Sequence, residues 1–264
     1  MSERLRLHGV AKSFDKLPVL NDLSLSVGTG EFVSILGPSG AGKSTIFQIL
    51  TGAIKHDTGT ISYDGAPLLN ASDKFAFMPQ RDALMPWRRT IDNATIGLEI
   101  QGMKRQHARE KVLLLFESFG LKGFEQHYPS QLSGGMRQRV ALLRTVVQER
   151  GMLLLDEPFG ALDALTRASM QRWLESMWER HQWTALLITH DIREAIYLSD
   201  RIYVLSTRPA RVAREIHVPL PRPRTFSDLN SPVAAKIEAE LINALIGPDS
   251  PTADVHAHIT QHAS

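Results

Sequence analysis

Hydrophobic and polar residues alternate along LRLHGVAKSF (residues 5–14) and again along LSLSV (residues 23–27). That period of two predicts half-buried strands, the first at a sheet edge, with a turn at Asn21-Asp22 between them. EFVSILG (31–37) is apolar almost throughout, as a strand covered on both faces must be, and runs into glycines. From Lys43 the period becomes that of a helix: Ile46, Ile49 and Leu50 share a face, and Gly52 is placed to end it. Residues 90–148 keep the helical period with mixed charge, which predicts a helical insert. Within it Met136, Val140, Leu143 and Val147 form one buried stripe on a helix opened by Ser133. Buried strands return at GMLLLDEP (151–158) and TALLITHD (184–191), with a helix at about 164–180 between them. RIYVLSTRPARVAREIHV (201–218) reads as a hairpin, and a last helix is expected near 234–246. Apolar strands alternating with helices predict an α/β fold: a mainly parallel sheet core covered on both faces, an N-terminal antiparallel β part and the helical insert.

Composition narrows the field of functions. A net charge of +2 is too slight to argue for nucleic acid. The absence of cysteine excludes disulfides, thiolate zinc sites and cysteine nucleophiles, and fits a reducing compartment. The opening MSERLRLHGV lacks the apolar core of a secretion signal, and no apolar run approaches the ~20 residues that cross a bilayer. A cytosolic chain is expected, with any membrane role peripheral. The segment from Pro248 has the composition of a disordered tail, whose DVHAHITQH histidines read as solvated side chains or as metal donors.

The chemistry begins at Gly37-Pro38-Ser39-Gly40-Ala41-Gly42-Lys43-Ser44-Thr45, which fits G-x-x-x-x-G-K-[ST] in full. The glycines let backbone N–H groups converge on phosphate oxygens, the helix dipole favours anions, and Lys43 neutralises the outer phosphates. Ser44 offers a hydroxyl to Mg²⁺. The strand before it and the helix after it supply the context a phosphate loop requires, and mark a P-loop NTPase. LLLDE (153–157) supplies the partner: Asp156 ends a buried strand with a hard oxygen donor, and Glu157, the next residue, points elsewhere and can take a proton from an attacking water. Taken alone, LLLDE reads equally as a strand running into an acidic turn.

LSGGMRQR (132–139) adds a second anion-binding helix start: Ser133 as N-cap, with Gly134 and Gly135 leaving first-turn amides uncovered. It serves either the nucleotide of its own chain or that of a second copy in a two-fold dimer, which would create two composite sites.

These motifs, together with the histidine of LLITHD, resemble the ATP-binding subunits of ABC transporters over roughly residues 3–215. The helical subdomain then spans about 90–150, a C-terminal extension with a short helix spans 216–247, and the tail spans 248–264. The resemblance implies a P-loop NTPase of the ABC type that hydrolyses ATP with Mg²⁺. It implies a head-to-tail dimer, with Ser133, Gly134 and Gly135 reaching the partner's ATP. Phe14 resembles the aromatic that stacks on adenine, its alternative being a plain strand-face side chain. Gln80 resembles the glutamine that senses Mg²⁺ and the attacking water, and Asp163 an aspartate at the dimer seam that would serve equally as a helix N-cap. His190 resembles the switch histidine at the γ-phosphate, and with Glu157 and Gln80 completes the catalytic set.

Leu84, Met85, Pro86 and Trp87 form an apolar group with basic neighbours. Either it is a docking surface or Trp87 tucks under the helical insert as core. The resemblance favours docking to two transmembrane permease subunits on the cytoplasmic face of a bacterial inner membrane. A periplasmic solute-binding protein would act indirectly. DALMPWRRTIDN and LSDRIYVLSTRPARV look most like the nitrate, sulfonate and taurine importer branch, and share much with importers of thiamine-precursor pyrimidines. Ala210 stands where that branch usually has glycine, and Gly151 where a proline is common. One cassette with a short insert argues against soluble ABC ATPases acting on DNA, ribosomes or Fe–S assembly. The arginines Arg201, Arg208, Arg211, Arg214, Arg222 and Arg224 are expected on a solvated hairpin face, the alternative being a phospholipid or nucleic-acid surface.

Overall fold

The computed structural model describes residues 2–246; the segment from 248, with its histidines, lies outside them. In chain order the strands are β1 (Glu3–Phe14), β2 (Leu17–Gly28), β3 (Phe32–Leu36), β4 (Thr58–Tyr63), β5 (Ala66–Pro67), β6 (Phe75–Met78), β7 (Met152–Asp156), β8 (Ala185–Thr189), β9 (Arg201–Leu205) and β10 (Val212–His217). The helices are α1 (Lys43–Leu50), α2 (Thr90–Ile100), α3 (Arg105–Phe116), α4 (Gly134–Val146), α5 (Ala164–His181), α6 (Ile192–Leu198) and α7 (Pro232–Ile246). The chain divides into two compact units. One holds the residues up to Ala71 and those from Glu175 on, and the other is Ser72–Leu174.

In the first unit an antiparallel sheet has the order β2-β1-β4-β5. Two expectations change here. The hairpin turns at Asp15-Lys16, closing Phe14 onto Leu17, because a two-residue link suits twisted antiparallel strands. Asn21-Asp22 lies inside β2 as a bulge, where Val10 pairs Leu23 and Lys12 pairs Leu20. Nor is β1 an edge: β4 arrives from beyond α1 and pairs with its other side, a long-range event that alternation within β1 cannot reveal. The second sheet of this unit places β3 between parallel β8 and β9, with β10 antiparallel outside β9 as the expected hairpin. All five residues of β3 and of β8 are buried, as strands covered on both faces require.

The extension from Val218 is tied back by two arginines. Arg224, 4% exposed, donates to the carbonyls of Ile196, Tyr197 and Ser199 at the end of α6, and to Val218 and Leu220. Arg222 bonds Glu175, Asp200 and the Leu198 carbonyl, and lies 3.9 Å over the Trp178 ring. Arg201 is likewise enclosed, paired with Glu31 at 2.8 Å. Half of the arginine cluster is therefore internal glue and not a solvated face; Arg208, Arg211 and Arg214 are exposed.

In the second unit β6 and β7 pair in parallel, and α2, α3 and α4 form the expected helical insert. Val140, Leu143 and Val147 are buried as the stripe requires, while Met136 is only half-buried. Among the described residues no helix is long and apolar enough to cross a membrane.

Candidate nucleotide-binding and hydrolysis site

The phosphate loop belongs to the first unit. β3 delivers the chain to a buried Gly37, and Gly42 (φ 97°) opens α1 with no side chain capping it. A Cβ on Gly42 would sit 2.8 Å from Val19 Cγ1, so only glycine lets the backbone close there. Lys43 Nζ donates to the Gly37 and Pro38 carbonyls at 2.8 and 3.0 Å, which holds the ammonium against the loop. Ser39, Gly40 and Ser44 are exposed; Pro38 and Thr45 are half-buried and Ala41 is buried. Uncapped first-turn amides, a lysine ammonium and an exposed serine hydroxyl are donors suited to a polyphosphate and its cation.

Phe14 ends β1 and is 43% exposed, with Lys12 Nζ 5.6 Å from its ring centre. A strand-end ring of this kind offers a face for stacking. His190 is exposed between the end of β8 and Asp191, whose carboxylate caps α6 through the Glu194 amide at 3.1 Å.

The second unit holds the acidic pair. β7 is buried until Asp156, which is half-buried at its end. Glu157 follows with φ 42°, a left-handed conformation that glutamate rarely adopts and that sends its side chain away from the strand's alternation. Gln80 Nε2 donates to Glu157 Oε2 at 3.0 Å, so two of the expected catalytic residues are brought together. Because the amide donates through nitrogen, its oxygen remains for a cation. The oxygens of Gln80 and Asp156 are hard donors of the kind Mg²⁺ takes.

Ser133 caps α4, its hydroxyl accepting the Met136 amide at 3.2 Å. Gly134 and Gly135 are packed rather than merely open. A Cβ on Gly134 would approach Leu162 at 3.4 Å, and one on Gly135 would reach Thr166 Cγ2 at 2.8 Å. Asp163 caps α5, accepting the Leu165 and Thr166 amides at 3.1 and 3.0 Å. Bonds from Thr166, then from the Leu165 amide, hold its carboxyl below the usual range. The second glycine motif and Asp163 thus share one packed surface.

Trp87 is 73% exposed, which removes the core reading, while Leu84 and Met85 are half-buried. The loop around them is braced by residues that sequence reasoning missed. Asn93, fully buried, accepts the Met85 amide at 2.7 Å and donates to the Met85 and Arg88 carbonyls at 3.1 and 3.0 Å. From α4, Arg137 bonds Asp82 at 3.1 Å and Arg144 bonds the Ala83 carbonyl at 2.8 Å. No motif in the sequence signalled them, since Asn93 is one of several polar residues of α2 that are buried, with Thr90, Asp92 and Thr95.

A phosphate loop at the end of a parallel strand, with an Asp-Glu pair closing another, defines a P-loop nucleotide hydrolase. A family model described as ABC transporter matches residues 20–160. The formylaminopyrimidine import ATP-binding protein ThiZ of Halalkalibacterium halodurans is 46% identical over 202 residues, covering 76% of this chain and 79% of that protein. The aliphatic sulfonates import ATP-binding protein SsuB 1 of Agrobacterium fabrum is 43% identical over 239 residues, covering 90% and 82%. The dimeric structure of MJ0796, a bacterial ABC transporter cassette, superposes with a TM-score of 0.70 at 30% identity, covering 84% of this chain and all of that one. The chain belongs to the ABC transporter family, as one of its ATP-binding, ATP-hydrolysing subunits.

Proposed function

We propose that this subunit energises import of a small solute, of the nitrate, sulfonate and taurine class, through a membrane ABC transporter. A thiamine-precursor pyrimidine is the second reading, favoured by the 46% identity to the formylaminopyrimidine protein. The subunit works peripherally on the cytoplasmic face of the inner membrane. It pairs with a second copy and with two permease subunits that dock at Leu84–Trp87, and a periplasmic binding protein supplies the solute indirectly.

In this reading the amides of residues 37–45 and the Lys43 ammonium bind the ATP phosphates, and Phe14 stacks on the adenine. Ser44, Asp156 and Gln80 would hold Mg²⁺, which would supply neutralisation of charge on the transferred phosphoryl group. Ser133, Gly134 and Gly135 complete the partner's site, and Asp163 lies at the seam. Glu157 accepts the proton of the attacking water while His190 holds the γ-phosphate end of the line. The observation that carries the assignment is Glu157 itself, with its left-handed backbone and its carboxylate met by Gln80. A carboxylate held in a costly conformation at the end of a buried strand is fixed for chemistry rather than for packing.

Glu157→Gln keeps the shape of the side chain and removes the base. It should bind ATP normally, accumulate as an ATP-bound dimer in size-exclusion chromatography, and turn over at least ~100-fold more slowly. Hydrolysis at the parental rate would overturn the assignment.

A further inference from the structure

Beside the phosphate loop stands a cation that none of the motifs assigns. Arg208, in the connection between β9 and β10, donates through Nε to the carbonyl of Gly40. Its Nη2 comes so close that a Cβ on Gly40 would meet it at 2.9 Å, and Gly40 holds φ 78°. Arg208 is exposed, and among the described residues it pairs with no carboxylate.

The connection carrying it is fastened at both ends. Ser206 N donates to the Arg211 carbonyl at 3.0 Å, and Arg211 N to Ser206 Oγ at 3.1 Å. Ala210, fully buried, donates to the Val19 carbonyl at 2.8 Å, and its own carbonyl accepts Asn21 N at 3.0 Å. Val19 is the residue against which Gly42 closes. The loop is thus backed at Gly42 by β2 and at Gly40 by Arg208, on two surfaces that are themselves bonded together.

Peptide geometry gives the contact a consequence. The carbonyl of Gly40 and the amide of Ala41 belong to one planar unit and point in opposite directions. A guanidinium that holds the carbonyl on one side fixes the Ala41 N–H on the other, where it now meets the Pro38 carbonyl at 3.1 Å within the loop. The charge also adds to that of Lys43 on a loop suited to polyphosphate.

We propose that Arg208 is a positioning residue for ATP binding: it braces the phosphate loop through the Gly40 carbonyl and adds a positive charge behind it. This rests on the reading that residues 37–45 hold the ATP phosphates.

The test uses the full-length chain and measures ATP affinity, KM and kcat separately, with melting of the nucleotide-free protein as control. Arg208→Ala should raise Kd and KM for ATP about three- to tenfold, with kcat within twofold and an unchanged melting temperature. Arg208→Lys, which keeps the charge and one donor, should recover part of the loss. Unchanged Kd and KM in Arg208→Ala overturn the proposal. So does a fall of kcat together with melting temperature that lysine fails to rescue, since that pattern marks a merely structural residue. Lys43→Ala separates the two readings: if it binds ATP as the parent does, the phosphate-loop assignment fails. If Lys43→Ala is defective and Arg208→Ala is not, only Arg208 is misassigned.

Discussion

At the scale of single residues, the docking loop shows how exposure and burial divide labour. Trp87 is solvent-exposed yet sits in a loop that Asn93 holds with bonds to the Met85 and Arg88 backbone. Replacing an exposed indole costs the fold little, whereas removing a buried amide strands polar groups at about 1–3 kcal/mol. Trp87→Ala should therefore leave melting and the basal ATPase rate of the isolated subunit unchanged, while abolishing solute uptake in cells carrying the assembled transporter. Asn93→Ala should lower the melting temperature as well. If Trp87→Ala reduces basal hydrolysis, the docking assignment is wrong. Much of this site was legible, because phosphate binding demands a contiguous string of residue types. What escaped was Asn93, Arg137 and Arg144, whose partners are the Arg88 carbonyl, the Asp82 carboxylate and the Asp82 carbonyl, 5–62 positions away, which no motif records.

Secondary-structure elements were legible in proportion to how local their causes are. The stripe of α4 and the all-apolar β3 follow from periodicity alone, whereas the interior position of β1 depends on β4, which lies beyond α1. The insert offers a similar lesson in charge. Its helices carry charges of both signs, and one of these is internal: Asp92 on α2 is 4% exposed and paired with Arg105 and Arg109 on α3 at 2.8 and 2.7 Å. Burial alone would raise its carboxyl; the bonds from Arg105 and Arg109 outweigh it and leave it below the ordinary 3.8. The sign follows by linkage. A native value below the unfolded one stabilises the fold above about pH 4, and that contribution is lost as pH falls through the native value. Asp92→Asn should cost about 2 kcal/mol at pH 7 in urea denaturation. The gap between parent and variant should close progressively below pH 4. A gap that stays constant into acid would show that the ion pairs contribute nothing.

Across the molecule, the question is what makes the last part of the described chain, residues 218–246, belong to the ATPase fold rather than trail from it. Sequence placed Arg201, Arg222 and Arg224 in one basic cluster with Arg208, Arg211 and Arg214, since composition cannot tell a buried guanidinium from a solvated one. Structure separates them. Arg211 and Arg214 face solvent, while Arg224 satisfies five carbonyls from Ile196 to Leu220 and so joins the end of α6 to the extension. Burial, reinforced by the nearby Arg222, pushes the Arg224 guanidinium down to about 10, so at neutral pH it stays charged at the negative end of a helix. An apolar side chain there leaves carbonyls buried without donors. Arg224→Met should thus cost about 3 kcal/mol or more, lowering the melting temperature by roughly 6–12 °C. Arg214→Ala should stay within about 0.5 kcal/mol of the parent. Because α6 begins two residues after His190, the Arg224 variant should also lose ATPase activity below its melting transition. A Met variant as stable as the parent would mean that the extension is an appendage, and that α6 keeps its place without it.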